Sequence, residues 1–269
     1  MKDRPSGCSD GSRKGGSPVN CRGMRAKAKQ AGNGEVRESM SRETILENVK
    51  RIRRELAEAA EGRYPVPRLM AVTKTRAPEE ILLLKDAGVT EIGENRVQEL
   101  KAKLPALEGA FRIHLIGRLQ RNKVRQIVGD VSMIQSVDSA ALAEEISRRA
   151  ADAGLCVDVL AEISPAGEEQ KGGVPVAETE SFLRQIAPLE GIRVKGLMAV
   201  MPLTEDTEYL DGLFAGMRKL FERMRETAIP GTDMEELSMG MSGDYRLAAR
   251  HGATVVRVGS AIFGPREYH

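Results

Sequence analysis

The chain has 269 residues, 41% hydrophobic and 30% charged, the balance of a soluble globular protein able to bury a full core, at a length common for one α/β barrel. Its longest aliphatic run is Ile81-Leu82-Leu83-Leu84, far short of the ~18 apolar residues of a membrane span, and aromatics at 3% with no Trp exclude a base-stacking platform. Residues 1–40 carry nine Lys/Arg against four Asp/Glu, a balance of +5, and the other 229 residues carry 32 against 35, a balance of −3, so the basic surplus lies in a tail and the folded body lacks the footprint of a nucleic-acid binder.

Residues 1–40 hold seven Gly and almost no apolar side chains. Burial cannot offset their ordering entropy, and they are expected to be a disordered basic tail outside a folded domain at 41–269. Periodicity begins at Ser41, a helix cap, with Ile45, Val49, Ile52 and Leu56 at helical spacing up to Gly62. The first strand is Arg68–Val72. Pro78 and Glu79 open a helix closed by Gly88, with Pro in the first turn and Gly after the end. Strands are then expected at 90–93, 112–116, 132–137, 157–163, 194–200, 236–239 and 254–258. Helices are expected at 95–103, 120–128, 139–153, 175–187, 206–228 and 243–251. Eight strands alternating with helices specify a parallel sheet, and eight βα units in ~200 residues suggest closure into a (β/α)8 barrel. A doubly wound sheet would want a glycine fingerprint after its first strand, where this chain has Thr73-Lys74-Thr75.

Active groups of such a barrel lie at the C-terminal ends of its strands. Lys74 follows the apolar first strand. Partial desolvation there lowers an amine's pKa and suits it to a Schiff base, whereas an ordinary lysine at this place snorkels to water. Asn95 after the second strand is a ligand contact or a cap of the next helix. His114 on the third strand faces the lumen as a ligand contact or as a hydrogen-bonded core histidine. Met198 at the end of the sixth strand packs on a flat ring or fills core. Ser242, in the Ser238–Asp244 loop after the seventh strand, and Gly259 and Ser260 after the eighth sit in two loops of small residues. Hydroxyls, close-approaching glycines and a helix start after these two strands make a phosphate site. A lysine with two phosphate loops suggests a phosphorylated aldehyde, and pyridoxal 5′-phosphate fits. Arg257 is then the partner of the pyridine nitrogen; a rim salt bridge is its ordinary alternative.

The segments Leu69–Thr75, Gly93-Glu94-Asn95, His114–Lys123, Gly196-Leu197-Met198, Ser238–Ser242 and Arg257–Gly264 resemble the pyridoxal phosphate homeostasis proteins (the YggS/PROSC family) over about residues 41–268. The resemblance implies a barrel similar to the alanine racemase N-terminal domain, a covalent imine of the cofactor on Lys74, and a phosphate held around Ser242, Gly259 and Ser260. Three positions depart from the family pattern: Ile113, Ser164-Pro165 and Arg76.

Two functions compete. One is a non-enzymatic carrier or buffer of pyridoxal phosphate; the other is a pyridoxal-phosphate racemase or decarboxylase. The chain ends soon after the eighth strand, without the β domain that brings a catalytic tyrosine to the racemases, and Tyr245 is the tyrosine nearest a strand-end loop. These features favour the carrier. Its expected partners are pyridoxal phosphate and the apo-enzymes that need it, with the protein a monomer or weak dimer. Lys171, in the polar loop after the fifth strand, is part of a release route or plain solvated surface. Three cysteines without CxxC, and three scattered histidines, argue for a reducing, cytoplasmic location and against a metal site.

Overall fold

The computed structural model describes residues 41–107, 109–167 and 172–265. The basic tail and Lys171 therefore lie outside the described residues. Nine strands form one parallel sheet: β1 (Arg68–Val72), β2 (Glu91–Glu94), β3 (Arg112–Leu115), β4 (Met133–Val137), β5 (Val157–Ser164), β6 (Val174–Pro175), β7 (Ile192–Ala199), β8 (Thr232–Ser238) and β9 (Val255–Val258). Pairing runs β4-β3-β2-β1-β9-β8-β7-β5, and β4 also pairs β5, which closes eight strands into a barrel. The two-residue β6 only extends β5 at Ile163 and Ser164.

Helices α1 (Arg42–Ala60), α2 (Pro78–Leu82), α3 (Val97–Leu107), α4 (Ala140–Asp152), α5 (Thr179–Ile186), α6 (Thr207–Thr227), α7 (Tyr245–Arg250) and α8 (Ser260–Phe263) surround it. Ser41 caps α1 by accepting the Thr44 N–H at 3.2 Å. Ile45, Val49, Ile52, Leu56 and Ala60 are the buried stripe of α1. Because α8 is one short turn, α1 supplies the missing wall of the ring by packing on α7, α8 and the turn at 83–85.

The periodicity located these elements, with corrections. The segment expected as a helix over 120–128 is a 3-10 turn at Arg121–Gln126. It has one buried residue, Val124, too few for an α-helical stripe, so i→i+3 bonds suffice. The helix expected from 175 begins with β6 and a 3-10 turn and becomes α-helical only at Thr179. The helix over 78–88 tightens into a 3-10 turn after Leu82.

Alternation along the strands sorts the core into two layers. One face of each strand packs on the helices through residues such as Leu69, Ile92, Leu115, Val159, Leu197 and Val256, each contributing roughly 1.5–3 kcal/mol by burial. The other face fills the lumen, where Met133, Leu160 and Met198 form their own apolar cluster. Gly196, at φ +149°, lies at a bulge between β7 and β8; a Cβ there would stand 1.9 Å from the Glu236 carbonyl oxygen. Gly117 likewise lets the end of β3 approach β2, since its Cβ would meet the Asn95 oxygen at 2.4 Å.

Candidate cofactor site

Lys171 aside, the residues of the expected cofactor site fall at the C-terminal mouth of the barrel or in the lumen beneath it. Lys74 lies two residues past β1 and is half-buried. It occupies the even register of Arg68, Met70 and Val72, and Met70 pairs with the lumen residue Arg257. The backbone turns immediately after it: Thr75 sits at φ +66°, a left-handed conformation that costs a β-branched residue on the order of 1–3 kcal/mol. A network behind the loop holds it there. The Thr75 N–H donates to the Glu99 carboxylate. The Thr73 hydroxyl donates to Glu94 Oε1 at 2.6 Å, and Lys103 Nζ donates to the Thr73 carbonyl at 2.7 Å.

Asn95 does not cap α3. Its Oδ1 is buried and has no hydrogen-bond partner, which removes the ordinary explanation for this side chain and leaves an acceptor waiting for a donor.

His114 is buried in the lumen, and its partners define a directed chain. Arg257 can only donate, and its Nη1 gives a hydrogen bond to Ser238 Oγ at 2.7 Å. Ser238 therefore donates onward, to Gln135 Oε1 at 2.7 Å. That orients the Gln135 amide so that Nε2 donates to His114 Nδ1 at 3.0 Å. The imidazole proton must then sit on Nε2, which is buried without a partner. Burial, then the charges of Arg112 and Arg68, push the His114 pKa down to about 3, so the ring is neutral at physiological pH.

Arg257 also donates from Nη2 to the Ala199 carbonyl at 2.7 Å. Burial lowers its pKa to about 10, and the guanidinium stays charged at neutral pH. The rim salt bridge is thus not what holds it; its partners are neutral lumen groups. Met198 is buried with Met133 and Leu160 as core filler.

Across the lumen, Glu162 on β5 pairs with Met198 in register. Its pKa is raised to about 7, by burial first and then by the charge of Asp138, against the pull of Arg257 and Arg118. A cavity of about 220 Å³ opens beside it, lined by Ser164, Pro165, Val200 and Pro202 among others. The larger hollow, about 800 Å³ between the 121–126 turn and α4, lies outside the barrel among Arg121, Glu145, Arg148 and Arg149 and contains none of these groups.

The two small-residue loops meet as expected. Ser242 Oγ accepts the N–H of Gly259 at 3.1 Å and of Ala261 at 3.3 Å, while its own proton is left to donate outward. Ser260 beside it is exposed. Asp244 ties the loop by accepting the Met241 N–H at 2.5 Å. Tyr245, the tyrosine nearest this loop, turns away: its hydroxyl donates to the Glu55 carboxylate on α1.

Sequence reasoning missed Gln135, Ser238, Glu162 and the Lys103 network. The signals were a Gln inside the apolar strand Met133–Val137 and a Glu at the lumen register of β5. Among the described residues no group of His, Cys, Asp and Glu can hold a metal ion, and no helix is long and apolar enough to cross a membrane. Cys156 is a free, exposed thiol.

The parallel eight-stranded barrel has the fold of the alanine racemase N-terminal domain, and the model of that domain matches residues 40–267. The chain belongs to this family. Within it, the chain belongs with the pyridoxal phosphate homeostasis proteins. It is 37% identical over 230 residues to the one from Aquifex aeolicus, covering 84% of this chain and 98% of the relative. It is 33% identical to that of Pseudomonas aeruginosa over 230 residues, covering 84% and 97%. Among solved structures, PipY of Synechococcus elongatus with PLP bound superimposes with a TM-score of 0.73 at 34% identity, over 82% of this chain and 100% of PipY. Alanine racemase from Clostridium difficile shares the fold, at a TM-score of 0.69 and 15% identity over 84% of this chain and 58% of the enzyme.

Proposed function

We propose that the protein binds pyridoxal 5′-phosphate covalently on Lys74 and carries or buffers it inside the cell without turning over a substrate. The observation that carries this reading is the convergence at one barrel mouth of a half-buried lysine and two hydroxyl loops, over a lumen in which Asn95 Oδ1 and His114 Nε2 lack partners. Bound there, the cofactor supplies an aldehyde that condenses with a primary amine and releases water. Lys74 provides the amine. Ser242 directs its hydroxyl, with Gly259 and Ser260 beside it, toward the phosphate. Arg257, charged and anchored by Ser238 and Ala199, would offer a donor to the ring nitrogen and disfavour its protonation. Asn95 and His114 offer an acceptor and a donor to the ring substituents, and Met198 floors the lumen. The names of the relatives and the bound ligand of PipY support the same ligand and role.

The carrier reading is favoured over a racemase or decarboxylase by two local facts. A guanidinium partner weakens the electron sink that carbanion chemistry needs. Tyr245 is tied to Glu55, Tyr64 lies under the Arg218 guanidinium at 4.6 Å, and Tyr209 is exposed on α6, so none of these hydroxyls serves the mouth as an acid. The expected location is the cytoplasm, and the expected recipients are apo-enzymes that use the cofactor. Lys171 is proposed to assist release to them.

The test is an absorption spectrum of the purified protein. A band near ~420 nm, lost on borohydride reduction with the cofactor's mass added at Lys74, is expected. Amino acids incubated with the loaded protein in deuterated water should keep their α-protons and chirality, whereas turnover at an ordinary ~1–10³ s⁻¹ would establish the enzyme instead.

A further inference from the structure

The network behind Lys74 is built more heavily than a loop requires. Lys103 is buried on α3 and its Nζ makes three contacts of 2.7 Å, to Glu94 Oε1, to Glu99 Oε1 and to the Thr73 carbonyl. Glu94 is fully buried and also accepts the Thr73 hydroxyl at 2.6 Å. Glu99 accepts the Thr75 N–H. The two residues flanking Lys74 are therefore bonded, on both sides, to one three-charge cluster. A buried cluster of this kind is seldom a net gain in stability over an apolar core. Its geometry is specific in another way: it holds Thr75 at φ +66°, the turn that brings the chain off β1 directly after Lys74.

We propose that Lys103, Glu94 and Glu99 are positioning residues that fix the direction in which Lys74 presents its amine to the barrel mouth. They touch neither ligand nor reacting atoms; they act through the backbone of Thr73 and Thr75. Glu99 is the decisive member, because its carboxylate joins the Thr75 amide to the Lys103 ammonium and is the one acidic group of the cluster with access to solvent. The inference rests on the reading that Lys74 carries the cofactor, but it concerns the lysine and can be read without the cofactor.

The experiment uses the full chain, cleared of bound carbonyl compounds, with Glu99→Ala and Glu99→Gln beside the wild type. Three readouts are taken: amide exchange at Thr75, reductive methylation of Lys74 by formaldehyde with cyanoborohydride as the hydride donor across pH, followed by mass spectrometry, and the rate at which added pyridoxal phosphate produces its ~420 nm band. In Glu99→Ala, Thr75 exchange should rise about tenfold. The pH midpoint for Lys74 labelling should move, and band formation should slow about tenfold because the amine is misplaced. Glu99→Gln keeps an oxygen for Thr75 and Lys103 and should restore all three to within about twofold. Should Glu99→Ala not fold, Glu99→Asp, shorter by one methylene, displaces the same acceptor and is expected to reproduce its three effects. Wild-type labelling and band formation in a variant whose Thr75 amide has been freed would overturn the proposal. If the wild type forms no band while Lys74 labelling still responds to Glu99, the positioning role stands and the cofactor reading falls.

Discussion

The two ends of the barrel are built on opposite principles. At the N-terminal end, Arg68 donates to Glu236 at 2.7 Å and pairs with the buried Glu91 at 3.3 Å, Arg112 adds a second charge to Glu91 at 3.6 Å, and the Thr254 hydroxyl fills Glu236 Oε2 at 2.7 Å. No buried side-chain atom there lacks a partner. At the other end, Asn95 Oδ1 and His114 Nε2 are buried and unpartnered on the lumen side, and Glu94 Oε2 is unpartnered on the helix-facing side of β2, beside Lys103. They are the full set of such atoms among the described residues. One end pairs its buried polar groups, and the other leaves Asn95 and His114 open toward the lumen, an arrangement that suits the proposed ligand.

That contrast is sharpest at Lys74. Lys74→Ala should abolish the ~420 nm band completely while the melting temperature stays within a few degrees, since a half-exposed side chain contributes little to folding. A full band in the folded variant ends the assignment. The open mouth should also depend on the phosphate. Pyridoxal without it should bind at least about a hundredfold more weakly, from the loss of several hydrogen bonds to a charged group worth ~1.5–3 kcal/mol each; titrating both vitamers against one preparation decides this, and equal affinities would remove Ser242, Gly259 and Ser260 from the site.

The closed end should behave in reverse. Arg68→Met leaves the buried Glu91 with only Arg112 at 3.6 Å and removes the ion pair to Glu236, and should cost about 1–3 kcal/mol in denaturant unfolding. Cofactor affinity should be unchanged; a large loss of affinity would mean that the two ends are not separable.

The smallest effect is a pH slope. Glu162 has its pKa raised to about 7 in the fold, from an ordinary 4.5. The folded state therefore holds the proton more tightly, so its stabilising contribution is full below about 4.5 and is lost as pH rises through about 7. His114, held down to about 3, acts oppositely: its contribution is present above its ordinary 6.5 and lost as pH falls through about 3. The two slopes offset one another over the pH range they share. Glu162→Gln should unmask the histidine, leaving stability near the wild type at pH 4.5 and raising it at pH 8 by on the order of 1–2 kcal/mol, after allowing for solvent at the mouth. Parallel pH profiles for the two proteins would show that Glu162 titrates normally.

Strand alternation, proline starts and glycine stops located all eight barrel strands of this chain, because hydrophobic period is a local property. The strand-end rule then singled out Lys74, Arg257 and the loops at Ser242 and Gly259, since residue type and place together carried the signal. What remained unread depends on distance. Gln135 stands beside Ser136 in an otherwise apolar strand, and nothing nearby in the sequence says that it lies between Ser238, 103 residues away, and His114, 21 residues away. Lys103 stands at the end of the helix expected over 95–103, yet it reaches the Thr73 carbonyl 30 residues back. Asn95 was open between cap and ligand contact until the start of α3 at Val97 left its oxygen without a partner. The sequence by itself determined the barrel and which residue types stand at its rim, because periodicity and residue type are written residue by residue. Only the closed ring of strands decided which polar groups complete one another and which stay open, because hydrogen-bond partners across a barrel are chosen by register and closure, which no short stretch of chain contains.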